Sequence, residues 1–141
     1  MIAMSKDLLN AYYDALRSGD EDTLRGMLTE DIEVNYFGPP GLLPWVGRHK
    51  GFEAYRIFLE RVRNNLDIVE VVQDCVVTEG EWVVVMGRGR WHAKSTGRRI
   101  EANMTNAFRF RDGKVAEYRV YTDTAAFAYA LGRATIAGGS R

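Results

Sequence analysis

The sequence predicts an α+β fold in which a strongly curved antiparallel sheet wraps around three helices as a cone-shaped barrel. Apolar residues recur at helical spacing in the first half of the chain, whereas the second half is dominated by long β-type segments. The stretch from Trp82 to Asp123 holds three such segments joined by short turns. Strands of that length favour a sheet that bends around the helices and encloses a hydrophobic pocket.

Length and composition limit the class of protein. The 141 residues are 46% hydrophobic, which is enough for one domain with its own core, expected at residues 1–131 with a tail at 132–141. Nineteen basic residues balance nineteen acidic ones, and no basic stripe is visible, so neither nucleic acid nor a membrane is an expected partner. We expect a cytoplasmic protein, because neither a signal peptide nor an apolar run of about 18 residues is present. Cys75 stands alone in an apolar run, which predicts a buried thiol.

Four helices are expected from spacing and capping residues. The first follows Ser5 as N-cap and ends at Gly19, and Asp20 caps a second, shorter helix. A third begins at Phe52, and a short apolar helix follows Asp123, which we interpret as its N-cap. The stripe of the first helix contains Leu8, Leu9, Tyr12 and Leu16, and that of the third contains Phe52, Tyr55, Phe58, Leu59 and Val62.

Strands are expected at 32–37 and from residue 66 onward. A loop containing Trp45 is predicted between Gly38 and Gly51, because Gly38-Pro39-Pro40-Gly41 breaks the first strand. Turns at 79–81, 95–97 and 112–113 separate the four later strands. The predicted order is therefore α-α-β-α-β-β-β-β-α.

Strand alternation predicts which polar groups face the pocket. Between Ile100 and Phe110 the even positions are apolar except for Asn106, so this face should line the interior. On the last strand Tyr118, Val120 and Thr122 form the more apolar face. Adding Tyr36 from the first strand and Tyr12 from the first helix gives a lining of hydroxyl and amide groups. Tyr12 and Tyr118 can equally be core residues whose hydroxyls reach a backbone partner.

The orientation of His92 depends on strand register. A register that pairs residues 87 and 106 turns Gly87, Gly89 and Trp91 inward, and a slip of one residue turns Arg88, Arg90 and His92 inward instead. The first register buries the more apolar face and is favoured. Glu70 and Asp74 are expected in solvent, and His49 on the surface.

Trp45 has two interpretations of equal weight: its ring closes the pocket mouth over a flat hydrophobic ligand, or it packs on the third helix. The substrate-binding residues expected from these patterns are Trp45, Phe37, Leu59, Trp91, Met104, Phe108, Tyr118 and Val120. The sequence has no metal-ligand spacing, no glycine-rich phosphate loop after a strand and no nucleophile elbow, so we expect neither a metal nor a cofactor.

Two long segments resemble one superfamily. LRSGDEDTLRGMLTEDIEV near the start and FRFRDGKVAEYRVYTDTAAF near the end are similar to the nuclear transport factor two-like superfamily, in its SnoaL-like polyketide cyclase and ketosteroid isomerase branch. The resemblance covers roughly residues 5–131. It implies the α+β cone and a homodimer through the outer sheet face, but the superfamily includes isomerases, cyclases, epoxide hydrolases and non-catalytic binders.

The resemblance also shows where this sequence departs from its relatives. Ketosteroid isomerases use a tyrosine and a protonated aspartic acid as oxyanion hole and an aspartate as base; the corresponding positions are Tyr12, Asn106 and Tyr36. SnoaL-like cyclases carry a histidine and an aspartate that align with Asn106 and Val120, and limonene-type epoxide hydrolases also place an aspartate at Val120. These acid and base groups are missing here.

Three functional hypotheses remain. The first is a cofactor-free isomerase, cyclase or lyase acting on a hydrophobic carbonyl compound of polyketide, terpenoid or steroid type, with Tyr12 and Asn106 as donors and Tyr36 and His92 as further catalytic candidates. The second is a non-catalytic small-molecule binder. The third is an epoxide hydrolase that recruits Glu70 or Asp74.

Overall fold

The computed structural model describes residues 6–135, with side chains from Leu8 onward. The predicted cap Ser5 and the end of the predicted tail lie outside the described residues. Ten elements follow in the order α1 (Lys6–Ser18), α2 (Glu21–Met27), β1 (Leu28–Tyr36), β2 (Gly47–Lys50), α3 (Phe52–Asn65), β3 (Leu66–Glu79), β4 (Trp82–Ala93), β5 (Arg99–Arg111), β6 (Lys114–Thr122) and α4 (Thr124–Ala130).

The strands form one open six-stranded sheet in the order β2-β1-β6-β5-β4-β3. The α+β class and the long meander are as predicted. Two features differ: β2 lies in the segment expected to be a loop and pairs with β1, and β1 runs parallel to β6. The short β2, with its sequence GRHK, lacks the apolar alternation that identifies strands.

Side-chain caps begin two of the helices at the predicted positions. Asp20 accepts hydrogen bonds from the Thr23 backbone N–H at 3.2 Å and from its hydroxyl at 2.6 Å. Asp123 accepts from the Ala126 N–H at 3.2 Å. Both carboxylates satisfy backbone donors that a helix start leaves unpaired. The N-cap predictions are confirmed.

Bulges bend β3 against β4. Their register shifts between Ile68 and Glu70 and again between Gln73 and Cys75, and each extra residue increases the local bend and twist. The prediction of a buried thiol was wrong: Cys75 is exposed. The second bulge turns its side chain to the outer face of the sheet, where it pairs with Met86.

Glycine allows β4 to approach this bulged strand closely. A Cβ on Gly87 would lie 2.1 Å from the carbonyl oxygen of Val72, and one on Gly89 would lie 2.5 Å from the ring of Trp91. Neither space admits a side chain without movement of its neighbour.

The concave face of the sheet, together with α1, α3 and α4, encloses the hydrophobic core. Trp91 pairs with Ile100 and faces inward, so the favoured face of β4 is the observed one. The expected pairing of residue 87 with residue 106 was wrong by two positions, because Gly87 pairs with Met104 and Asn106 pairs with Val85. The fully buried residues of largest volume are Trp45, Tyr12, Tyr55, Phe108 and Phe127. No helix within the described range combines the length and the hydropathy that a membrane span requires.

The loop between β1 and β2 is fastened to the segment after α4. The Arg133 guanidinium donates to the carbonyl oxygens of Leu42 at 2.7 Å and Gly41 at 3.0 Å. Two backbone turns within the loop, from Leu42 N–H to Pro39 and from Val46 N–H to Leu43, add to its order. These contacts hold in place the chain that carries Trp45.

Candidate ligand-binding cavity

A cavity of about 80 Å³ lies between the concave face of the sheet and the helices. Its walls are almost entirely apolar, and the polar side chains among them are three tyrosines and one threonine. None of the described lining residues carries a carboxylate or an imidazole. The lining consists of Tyr13, Leu16, Tyr36, Trp45, Phe58, Leu59, Val62, Leu66, Ile68, Val71, Trp91, Met104, Tyr118, Val120, Thr122 and Phe127.

Tyr13 and Asn106 form the central polar contact of this region. The Asn106 side chain is 1% exposed, and its Nδ2 donates a 2.8 Å hydrogen bond to the Tyr13 hydroxyl oxygen. Its Oδ1 is buried and has no partner among the described residues. Because the Tyr13 oxygen accepts this bond, its own O–H remains available to a ligand in the cavity.

Tyr12, which the sequence placed in the pocket, lies elsewhere. It is fully buried, and its hydroxyl shares a 2.9 Å hydrogen bond with the Tyr55 hydroxyl of α3. The adjacent residue Tyr13 lines the cavity in its place. The signal for Tyr13 was present, because Leu9 and Leu16 lie four residues before and three after it on the same helix face.

Tyr36 and Trp45 form a second polar pair in the lining. Their rings meet edge to face with centroids 6.1 Å apart. The indole N–H makes no hydrogen bond among the described residues. Burial raises the pKa of Tyr36, and the nearby indole acts in the opposite direction. Trp45 is fully buried and lines the cavity, and His49 Nε2 lies 2.9 Å from its carbonyl oxygen. His49, expected on the surface, is therefore half-buried beside this loop.

Tyr118 completes the set of tyrosines. Its ring stacks on Phe108 with centroids 5.0 Å apart, and its hydroxyl makes no hydrogen bond within the described part of the chain. Burial raises the pKa of Tyr13 and of Tyr36 to about 12 and that of Tyr118 well above its usual value. The Asn106 donor acts in the opposite direction on the pKa of Tyr13. All three hydroxyls therefore stay protonated near neutral pH and act as donors.

The other predicted site residues divide between the cavity and its surroundings. Leu59, Trp91, Met104 and Val120 line the cavity. Phe108 is fully buried behind Tyr118 and does not belong to the lining.

Two predicted site residues lie outside the cavity. Phe37 follows the end of β1, is 43% exposed and stacks on Tyr121 on the outer face. His92 is exposed, because the observed register turns it to the convex side. Neither residue contacts the cavity.

The acidic residues considered for water activation also lie outside. Glu70 pairs with Arg90 at 2.7 Å and Asp74 with Arg88 at 3.2 Å, and all four side chains are exposed. As expected from the sequence, these carboxylates face solvent.

Comparisons with known proteins agree with this architecture. A family model described as a SnoaL-like domain matches residues 9–118. The chain is similar to an NTF2-like protein from Burkholderia xenovorans, with 30% identity, a TM-score of 0.77 and coverage of 92% of this chain and 99% of that one. No curated protein matches the chain significantly.

Two further solved structures share the fold at lower identity. One is TerC co-crystallised with polyporic acid, with 22% identity, a TM-score of 0.78 and coverage of 88% and 95%. The other is a protein of ketosteroid isomerase-like fold from Catenulispora acidiphila in complex with trimethylamine, with 13% identity, a TM-score of 0.74 and coverage of 91% and 94%. At these identities the likeness establishes the fold alone.

Proposed function

We propose that this chain, which belongs to the SnoaL-like domain family of the NTF2-like superfamily, binds a small hydrophobic carbonyl compound and polarises its carbonyl group. The observation that carries the proposal is the Asn106–Tyr13 hydrogen bond of 2.8 Å at the wall of an apolar cavity. The reaction type that it supports is a cofactor-free isomerase, cyclase or lyase reaction.

Tyr13 is the residue to which we assign catalytic contact. Its O–H donates to the substrate carbonyl oxygen, and the bond strengthens as negative charge develops there, which is the general basis of oxyanion stabilisation. Burial keeps the pKa of Tyr13 at about 12, so the hydroxyl stays protonated at neutral pH and stabilises charge by hydrogen bonding. Asn106 acts through Tyr13 as a positioning residue.

The absence of a base from the described lining limits the chemistry. A tyrosine is a poor proton acceptor at neutral pH, and the lining supplies no carboxylate or imidazole. The substrate must therefore be acidic enough to lose its proton to water, or the reaction must be an internal rearrangement. Tyr36 and Tyr118 serve as additional donors, while Tyr12 and His92 have no place at the cavity.

A non-catalytic small-molecule binder is the second candidate, and the same lack of a base favours it. Solved structures of the fold in complex with polyporic acid and with trimethylamine support small-molecule binding for either candidate. Epoxide hydrolysis has less support, because Glu70 and Asp74 form exposed ion pairs away from the cavity.

3-Cyclohexen-1-one in D₂O separates the two candidates, because its protons between the carbonyl group and the double bond are more acidic than those of a simple ketone. NMR titration measures binding, and the rate of deuterium incorporation at the α carbons measures catalysis. An enzyme accelerates the exchange over the rate in buffer alone, and the ratio of the two rates shows no titration step from about pH 6 to about pH 10 because no lining base titrates there. Binding without acceleration favours the binder.

Matched tyrosine variants test the residue assignment. Tyr13→Phe should weaken binding about three- to tenfold, the usual effect of one neutral hydrogen bond. Tyr129→Phe, a change of the same kind on α4 outside the lining, should leave it unchanged. Absence of binding to the wild type, or equal binding by Tyr13→Phe, contradicts the proposal.

Homodimerisation through the outer sheet face remains a proposal, as does a cytoplasmic location. Val77, Met86 and Tyr121 expose apolar surface on that face. Sedimentation of the wild type should give twice the monomer mass, and Met86→Glu should shift it toward the monomer. A monomeric wild type contradicts the proposal.

A further inference from the structure

We infer that the ligand is a neutral molecule of one ring with hydrogen-bond acceptors on two of its sides, held between Tyr13 and Tyr36. This inference rests on the proposed function and adds to it the size and polarity of the ligand. It follows from the volume of the cavity, from the direction in which two hydroxyls can donate, and from the lack of charge in the lining.

Volume sets the size of the ligand. The cavity measures about 80 Å³, whereas a dry protein cavity of about 150 Å³ accommodates benzene. Sites for drug-sized molecules measure about 300–1,000 Å³. A steroid or a fused-ring polyketide therefore exceeds the space between the helices and the sheet. The volume therefore favours a single ring, which already requires a small outward movement of the lining side chains, over a fused-ring molecule.

Two tyrosines on different elements present donors to this space. Tyr13 lies on α1 and Tyr36 on β1, and both line the cavity. The Tyr13 oxygen accepts a 2.8 Å hydrogen bond from Asn106 Nδ2, so its own proton points away from that amide. The Tyr36 ring meets the Trp45 ring edge to face, and the indole N–H of Trp45 makes no hydrogen bond within the described part of the chain. Both hydroxyl protons therefore remain available to acceptors on a ligand.

A third tyrosine, Tyr118 of β6, lines the same cavity as Tyr13 and Tyr36. The Thr122 hydroxyl donates to the carbonyl of Asn103 at 2.8 Å, so its proton is not available to a ligand. The free protons in the lining are those of the tyrosines, and a ligand with more than one acceptor satisfies more than one of these buried donors.

Charge sets the remaining property. The lining contains no lysine or arginine and no acidic residue, so an ionised ligand would leave water without a counter-charge, at high cost. Neutral rings with oxygens on opposite sides, such as 1,4-diketones and quinones, meet all three conditions.

NMR titration with four probes tests this inference: cyclohexane, cyclohexanone, cyclohexane-1,4-dione and 2-decalone. The dione resembles a quinone in shape but does not alkylate the exposed Cys75. We expect the dione to bind about three- to tenfold more tightly than cyclohexanone, as one added hydrogen bond provides. We expect the bicyclic ketone 2-decalone to bind more weakly than cyclohexanone.

Variants assign the two contacts. Tyr36→Phe should reduce the affinity for the dione to that for cyclohexanone and leave cyclohexanone unchanged, whereas Tyr13→Phe should weaken both. Tyr129→Phe is the matched control, and the backbone NMR spectrum of each variant establishes that it folds.

The outcomes distinguish this inference from the proposed function. If neither ketone binds, both fail. If cyclohexanone binds through Tyr13 but the dione binds no more tightly, or Tyr36→Phe leaves the dione affinity unchanged, only the two-acceptor inference fails. Binding of 2-decalone as tight as that of cyclohexanone overturns the size limit.

Discussion

Replacing Asn106 with leucine should weaken ligand binding without destabilising the fold. The side chain is 1% exposed and makes one hydrogen bond, through Nδ2, while Oδ1 has no partner among the described residues. Losing a buried neutral hydrogen bond costs about 0.5–1.5 kcal/mol, whereas removing an unpaired buried polar atom returns about 1–3 kcal/mol. Leucine has the same branched outline as asparagine, which limits overpacking.

The net change in the free energy of unfolding therefore lies between a loss of about 0.5 kcal/mol and a gain of about 2.5 kcal/mol for the variant. For a chain of this length, each kcal/mol corresponds to a rise in Tm of about 2–4 °C. Urea unfolding and thermal melting measure these two quantities. Asn103→Leu, an exposed position on the same strand, is the control and should change stability by less than about 0.5 kcal/mol.

Ligand affinity should change in the opposite sense. Without the Asn106 donor, the Tyr13 hydroxyl is free to rotate, and its affinity for cyclohexanone should fall about threefold or more. A loss of stability above about 2 kcal/mol would refute this reasoning, because it would mean that Oδ1 has a partner, such as a buried water, in the folded protein. Unchanged affinity would refute the positioning role of Asn106.

Three further predictions concern the scaffold. Gly87→Ala should destabilise the fold by about 1–3 kcal/mol in urea unfolding, because the new Cβ would meet a β3 carbonyl oxygen at 2.1 Å. The control Gly26→Ala lies in an open helical position and should stabilise the fold by up to about 1 kcal/mol. Arg133→Ala removes both hydrogen bonds to the loop that carries the buried tryptophan, so amide hydrogen exchange at 41–46 should accelerate; unchanged exchange would contradict this role. The hydrogen bond from Arg111, 2.6 Å away, lowers the pKa of Asp31 to about 2 from its usual 3.8. The stability that this ion pair contributes is therefore present above about pH 4 and is lost as the pH falls toward 2. The free energy of unfolding of Asp31→Asn should therefore fall less steeply over that range than that of the wild type, and an equal slope would contradict the assignment.

Period-two alternation predicted the inner face of β5 and β6 correctly because both strands keep their register through the cavity. β5 pairs with β4 without interruption, and its one shift against β6 lies beyond Arg109, past Asn106. Simple alternation failed on β3 between its two bulges: the first moves the inward positions from the face of Ile68 to Val71 and Gln73, and the second moves them back. Bulges depend on contacts between strands, and those contacts are not visible in the sequence of one strand.

The helical contribution to the site was harder to predict. The apolar stripe of α1 is broad enough to include both Tyr12 and Tyr13, and spacing alone does not show which of them reaches the cavity. The structure separates them through their partners: Tyr12 bonds to Tyr55 in the core, and Tyr13 bonds to Asn106 at the cavity wall. Phe37 was misplaced although alternation would have put it correctly: it follows the inward-facing Tyr36, so its side chain points to the opposite face, where it stacks on Tyr121.

The positions at which the resemblance implies acid–base groups carry neither an acid nor a base in this chain. Asn106 and Val120, where the resemblance places acid–base groups, pair directly across β5 and β6, so an amide and an isopropyl group occupy the site of a proton-transfer pair. Hydroxyls from α1, β1 and β6 supply the polarity instead. Because an apolar environment raises the pKa values of these hydroxyls, the walls that exclude water also keep the donors protonated. A cavity of this kind selects its ligand by the placement of acceptors and by size, and any catalysis in it depends on the acidity of the substrate itself.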